Sequence, residues 1–191
     1  RHRRAGPAHA SGAMGDWNGA PQNDVIDGVR YVIANSTADS GRICVYRAGF
    51  GAHAALVQAA IEQDLHQCAI AVRGNYDMGY TFSRIRVKSA KERYAMIVSG
   101  KPGASRQDME ELSATSAAQR IKIPVMLLEG RRNNANPSDQ IRLMQSALTD
   151  AGVSVTSHYE HVESADIHLN YKNRRQGLKT IYDFVVAHTG A

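Results

Sequence analysis

Two hydrophobic rhythms alternate along the 191 residues of the chain. From residue 23, NDVIDGVRYVIANS places Val25, Ile26, Val29, Val32 and Ile33 at helical spacing, with Asn23 or Asp24 able to cap the start. Asp39-Ser40-Gly41 is a turn signal. Arg42-Ile-Cys-Val-Tyr46 reads as a short buried strand, followed by Arg47-Ala48-Gly49-Phe50-Gly51 and an Ala-rich helix to about Gln63. QCAIAV (67–72) predicts a second buried strand, ending in the loop Arg73–Asp77. Residues 78–120 are mixed, with helical patterns around Ala90–Val98 and Arg106–Leu112 broken by Gly100 and Pro102-Gly103. IKIPVMLLEG (121–130) is the clearest strand. Past a loop of Arg, Asn and Ala, Pro137 opens a helix with Ile141, Met144 and Leu148 on one face. VSVTSHY (153–159) alternates like a strand, and NRRQGLKTIYDFVVAH (173–188) predicts a closing amphipathic helix with Leu178, Ile181, Tyr182 and Val185 inward.

Strands alternating with helices predict the α/β class, a mostly parallel sheet flanked by helices. Residues 1–22 read as an irregular basic segment and residues 23–191 as one domain, without internal repeat or low-complexity linker. Chemistry in such sheets sits at the carboxyl ends of the strands. That points to the loops at 47–51, 73–77, 130–136 and 160–170.

Composition changes this picture little. The hydrophobic share of 43% and charged share of 21% are those of an ordinary globular protein. No apolar run approaches the roughly 18–20 residues needed to span a bilayer. The start, RHRRAGPAHASGAMG, has no apolar centre of the kind a secretory signal needs, and it does not begin with methionine. A fragment or processed chain is the expectation, and localisation stays open. Of the net charge of +5, about half could come from Arg1, Arg3 and Arg4. No nucleic-acid motif accompanies them, so the basic end reads as solvated and no nucleic-acid partner is expected. Cys44 and Cys68 lie in strand-like runs and read as two buried thiols, a disulfide between neighbouring strands being the open alternative.

Two motifs compete at residues 42–63. GFGAHA (49–54) matches the dinucleotide fingerprint through Gly49, Gly51 and Ala54, where glycines let a backbone approach a pyrophosphate at a helix N-terminus. Yet the next strand ends at Val72-Arg73 with no acidic group for a ribose, although Arg73 would suit a 2′-phosphate. A helix also precedes the strand. The other reading is a nucleophile elbow, G-x-S-x-G, a sharp turn that exposes a serine above the sheet. Here it runs Arg47-x-Gly49-x-Gly51, with spacing and context kept and the serine absent.

From about Trp17 onward the chain resembles the α/β-hydrolase catalytic domain of the prolyl oligopeptidase family, in particular its acylaminoacyl- and dipeptidyl-peptidase-like members. DVIDGVRYVIANSTADSGRICVYRAGFGAHAAL is similar to that family's helix, strand and elbow, and CAIAVRGNYDM to its next strand and loop. IKIPVMLLEG with NPSDQIRLMQSALTDAGVSV resembles the acid-bearing segment, and KNRRQGLKTIYDFVVAH the closing helix. The order is collinear. The resemblance implies the C-terminal portion of the domain and hydrolysis of a peptide or related acyl bond by a Ser-His-Asp triad. The implied substrate is a peptide or small acyl compound, with no cofactor and no metal.

Mapped residue by residue, the resemblance puts the elbow serine on Gly49. The acid lies four residues past a histidine opening the loop, here Glu129-Gly130-Arg131-Arg132-Asn133, so it falls on Asn133. The family's histidine falls on Asp166 without a gap, and on His168 with a gap of two. Glycine cannot attack a carbonyl, and an asparagine in the acid's place tends to select the wrong histidine tautomer. These departures read together as erosion of a whole site, which leaves an inactive or impaired hydrolase as the expectation and a non-catalytic peptide- or partner-binding domain as an alternative beside the nucleotide-binding one.

Other groups offer no clear substitute. Cys44 lies too early in its strand, and His53 on the elbow helix reads as a surface or packing residue. Asp77 reads as a loop cap rather than a pocket group. His158, His161 and His168 with Glu160, Glu163 and Asp166 are a His/carboxylate-rich stretch whose spacings match no strong metal motif. The N–H of Phe50, which follows the elbow residue, is the expected oxyanion donor. The family's second donor and its upstream strands are not in this sequence, so an unpaired sheet edge is expected.

Overall fold

A computed structural model describes residues 15–130, 138–160 and 171–190. It opens with helix α1, Ala20–Ala34, which buries Ile26 and half-buries Val25, Val29, Val32 and Ile33. Its start lies earlier than the sequence pattern predicts. The Ala20 N–H donates to Asp16 Oδ2 at 2.7 Å, and Pro21 sits in the first turn, where its missing N–H costs nothing. Asn23 and Asp24 therefore lie inside the helix and do not cap it.

A 3-10 turn at Ser40–Arg42 leads into strand β1, Cys44–Ala48, and helix α2, Phe50–Ile61. Strand β2, Cys68–Val72, is buried throughout. Then come α3 (Met78–Arg84), α4 (Lys88–Ser99), α5 (Arg106–Glu111) and α6 (Ala114–Ala117). Strand β3 (Val125–Gly130), α7 (Ser138–Asp150), β4 (Val155–Glu160) and α8 (Tyr171–Thr189) complete the order. The helical patterns seen in 78–120 are thus a four-helix insert between two strands.

The four strands pair in parallel in the order β1-β2-β3-β4, so all of them end on the same side of the molecule. Side chains alternate across the sheet as pleating requires. Val45, Ala69, Ala71, Val125 and Leu127 face the layer containing α2, α6 and α7, where Leu56, Ile141, Met144 and Leu148 fill the core. Cys68, Ile70, Val72, Met126 and Leu128 face α8, meeting Phe184, Ile181 and Val185. Of the residues expected inward on α8, Ile181 and Val185 meet the sheet and Leu178 and Tyr182 do not. Leu178 and Tyr182 are 56% and 66% exposed, because the buried stripe runs through Gly177, Ile181 and Phe184.

The two cysteines are not free thiols. Register sets Cys44 opposite Cys68 at a Cα–Cα separation of 4.6 Å, within bridging distance, and they form a disulfide. Among the described residues β1 pairs only with β2, which leaves its other side open.

Candidate active site

The turn between β1 and α2 is built from small residues under tight constraints. Gly49 has φ 61° and ψ −128°, a conformation in which a side chain is strained. Its N–H donates to Val72 O at 2.8 Å, which ties the turn to the end of β2, and its carbonyl accepts from Ala52 N–H at 3.0 Å. Among the described residues, a Cβ placed on Gly49 would meet nothing within 4 Å. Gly51 is needed for a different reason. A Cβ there would come within 3.1 Å of Arg47 Cβ, so its absence lets α2 start directly over the Arg47 side chain.

Helix α2 is buried along almost its whole length, from Ala52 to Ala60. Its alanines let it sit close to the sheet on one side and to α1 and α6 on others. At its N-terminus the first N–H groups have no intrahelical acceptor, and the helix dipole is positive there. The N–H of Phe50 is the first of these. The Phe50 ring is 48% exposed. Trp17 meets it edge-on at 4.4 Å between centroids, and the His53 ring stacks on it at 6.2 Å. Together they form an aromatic wall beside Gly49.

His53 is fully buried and bonded to Asn18. The Asn18 Nδ2 group donates to Leu112 O at 3.0 Å, which turns its Oδ1 toward His53 Nε2 at 2.9 Å. His53 is therefore the Nε2–H tautomer, and its buried Nδ1 has no partner among the described residues. Burial holds its pKa down at about 4, so the ring is neutral. Its hydrogen bond secures residues 17–18 over the elbow, the packing role read from the sequence.

The loop after β2 forms the neighbouring wall. Arg73 has φ 53°, and Gly74 must be glycine because a Cβ would lie 2.2 Å from the Tyr76 ring. Tyr76 is fully buried, donates its hydroxyl to Ala71 O at 3.3 Å, and has its pKa pushed up by burial. The backbone of this loop is held by Gln140 of α7. Its Oε1 accepts from the N–H groups of Tyr76 and Asp77 at 2.8 and 2.7 Å. Its Nε2 donates to Asp77 O at 3.0 Å and Thr81 Oγ1 at 3.1 Å. Asp77 itself caps α3, accepting from Tyr80 N–H at 2.7 Å. Sequence reading missed Gln140. The available signal was its place four residues before Met144 and eight before Leu148, on the buried stripe of α7.

Gly49 and Phe50 are thus brought together at the carboxyl end of β1. Asn133, Asp166 and His168 lie outside the described residues, as do His161 and Glu163. His158 and Glu160 fall in β4, and Glu129 is buried within β3 rather than in the loop. Among the described residues no group of three His, Cys, Asp or Glu side chains could hold a metal. No helix there is long and apolar enough to cross a membrane.

A parallel sheet covered by helices on both faces, with a sharp strand–turn–helix at a strand's carboxyl end, is the α/β-hydrolase arrangement. A model of the prolyl oligopeptidase family matches residues 4–191, and the chain belongs to that family. No curated protein matches it. Among solved structures it is similar to uncomplexed acylaminoacyl peptidase from Pyrococcus horikoshii (16% identity, TM-score 0.81, covering 95% of this chain and 30% of that one). It is also similar to an acylaminoacyl peptidase in complex with Z-Gly-Gly-Phe-chloromethyl ketone (16%, TM-score 0.79, covering 93% and 29%). A third is a puromycin-hydrolyzing peptidase from Mycobacterium tuberculosis (20%, TM-score 0.81, covering 95% and 28%). The chain spans under a third of the length of each. The dinucleotide reading of Gly49, Gly51 and Ala54 is not favoured. Among the described residues the strand order runs one way from β1, with no reversal to open a nucleotide crevice.

Proposed function

We propose that this chain is a peptidase-type hydrolase domain that no longer performs covalent catalysis and keeps a peptide-binding elbow. The observation that carries the reading is Gly49. It occupies the turn where the family's serine is expected, and it offers no atom that can attack a carbonyl. Asn133 at the acid position, and Asp166 or His168 at the histidine position, support the reading by resemblance. What the elbow retains is suited to holding a peptide. The Phe50 N–H at the positive end of α2 is a donor for a carbonyl oxygen, and the exposed Phe50 ring backed by Trp17 is a surface for an apolar side chain.

Trp17 is the only tryptophan in the chain and touches Phe50, so its emission reports on the elbow. Titration with Z-Gly-Gly-Phe amide should give a saturable change in emission and leave the peptide intact. A flat response at millimolar peptide would contradict the binding half of the proposal. Steady hydrolysis would contradict the other half.

A further inference from the structure

Strand β1 carries the elbow and, like β4, pairs with a single neighbour among the described residues. It has β2 on one side and, among the described residues, no strand on the other. Two fastenings hold it at opposite ends. At the elbow end, the Gly49 N–H donates to Val72 O at 2.8 Å. At the start, Cys44 and Cys68 are the first of five register pairs and are joined by the disulfide. Beside that bond the Gln67 N–H donates to Ile43 O at 2.7 Å.

The two sulfur-bearing residues differ in access. Cys68 is fully buried under α8, whereas Cys44 is half-buried. We propose that the Cys44–Cys68 disulfide is a redox latch that holds β1, and with it the Gly49 turn, against β2. Attack by a dithiol comes at the Cys44 sulfur. The reductant's thiolate bonds to Cys44 Sγ, the Cys44–Cys68 bond breaks, and Cys68 leaves as a thiolate that takes up a proton. The reductant's second thiolate then attacks its own sulfur in the mixed disulfide, releasing Cys44 as a thiol. Two electrons pass from the dithiol, which ends as a disulfide. Once open, both thiols still face Ile181, Phe184 and Val185, where cysteine packs as a small apolar side chain. Opening therefore loosens β1 without dissolving the core.

Hydrogen exchange followed by mass spectrometry, with parallel iodoacetamide alkylation, tests the latch on the native chain. Before reduction no cysteine should alkylate, even in denaturant, and after dithiothreitol treatment of the folded protein both should. Reduction should speed exchange of residues 43–50 about tenfold and leave α7 unchanged, and oxidised glutathione should restore the slow state. The Cys44→Ala/Cys68→Ala variant should show the fast pattern with or without reductant. Two alkylations without reductant would overturn the proposal, as would a disulfide that resists dithiothreitol in the folded protein. Unchanged exchange at 43–50 after reduction, or equal acceleration in α7, would overturn it as well.

Discussion

Under the proposed function, the absence of a nucleophile at Gly49 and the absence of backbone strain go together. A residue with a side chain held at φ 61° carries a cost of about 1–3 kcal/mol. An elbow with serine carries that cost for the sake of reactivity, and an elbow with glycine does not. With glycine the turn keeps its shape, since the Gly49 N–H, Gly51 and the alanines of α2 define it. His53 shows the opposite economy, a titratable group kept for packing. Its pKa is about 4 when folded and near 6.5 when the chain is open, because burial penalises the charged ring. Between those values the unfolded chain takes up a proton that the folded chain does not. Stability is therefore full above about pH 6.5 and falls toward about pH 4, His53 accounting for about 3 kcal/mol. His66 is shifted in the same direction, chiefly by its own burial, and adds to the slope. Urea unfolding across that range should show the decline, and His53→Leu should flatten its own share of it. An unchanged slope in that variant would refute the buried neutral assignment.

Among the elements, α7 matters most to the site after the elbow itself. It packs Ile141, Met144 and Leu148 into the core and offers Gln140 to the loop after β2. The glutamine satisfies two backbone N–H groups that burial would otherwise leave unpaired. Gln140→Leu should cost about 2–4 kcal/mol in denaturant unfolding, one buried donor after another losing its acceptor. A cost below about 1 kcal/mol would mean that the loop is held by other contacts. The identity and order of the elements were legible in the sequence, because apolar spacing switches clearly between the helical and strand periods. The start of α1 was not, because its cap, Asp16, lies in a segment with no period of its own. The facing of α8 was legible in part. Ile181 and Val185 face the sheet as expected, whereas Leu178 and Tyr182 fit the amphipathic wheel but are exposed, because the stripe runs through Gly177, Ile181 and Phe184.

For the whole molecule, class and family were legible because collinear segments along the chain carry them. What escaped depends on register and contact between distant residues. The Cys44–Cys68 bond needs β1 and β2 aligned residue against residue, and spacing along the chain does not specify that alignment. The Asn18–His53 bond and the Gln140 clamp likewise join residues far apart in sequence. The parallel sheet sends its strand ends to one side, so the Gly49 turn and the Arg73–Asp77 loop share a face. The central claim is that this face keeps the elbow's shape without its nucleophile. Fluorophosphonate labelling of the native chain tests it most directly. No covalent adduct should form on the chain, and stoichiometric capture would contradict the account.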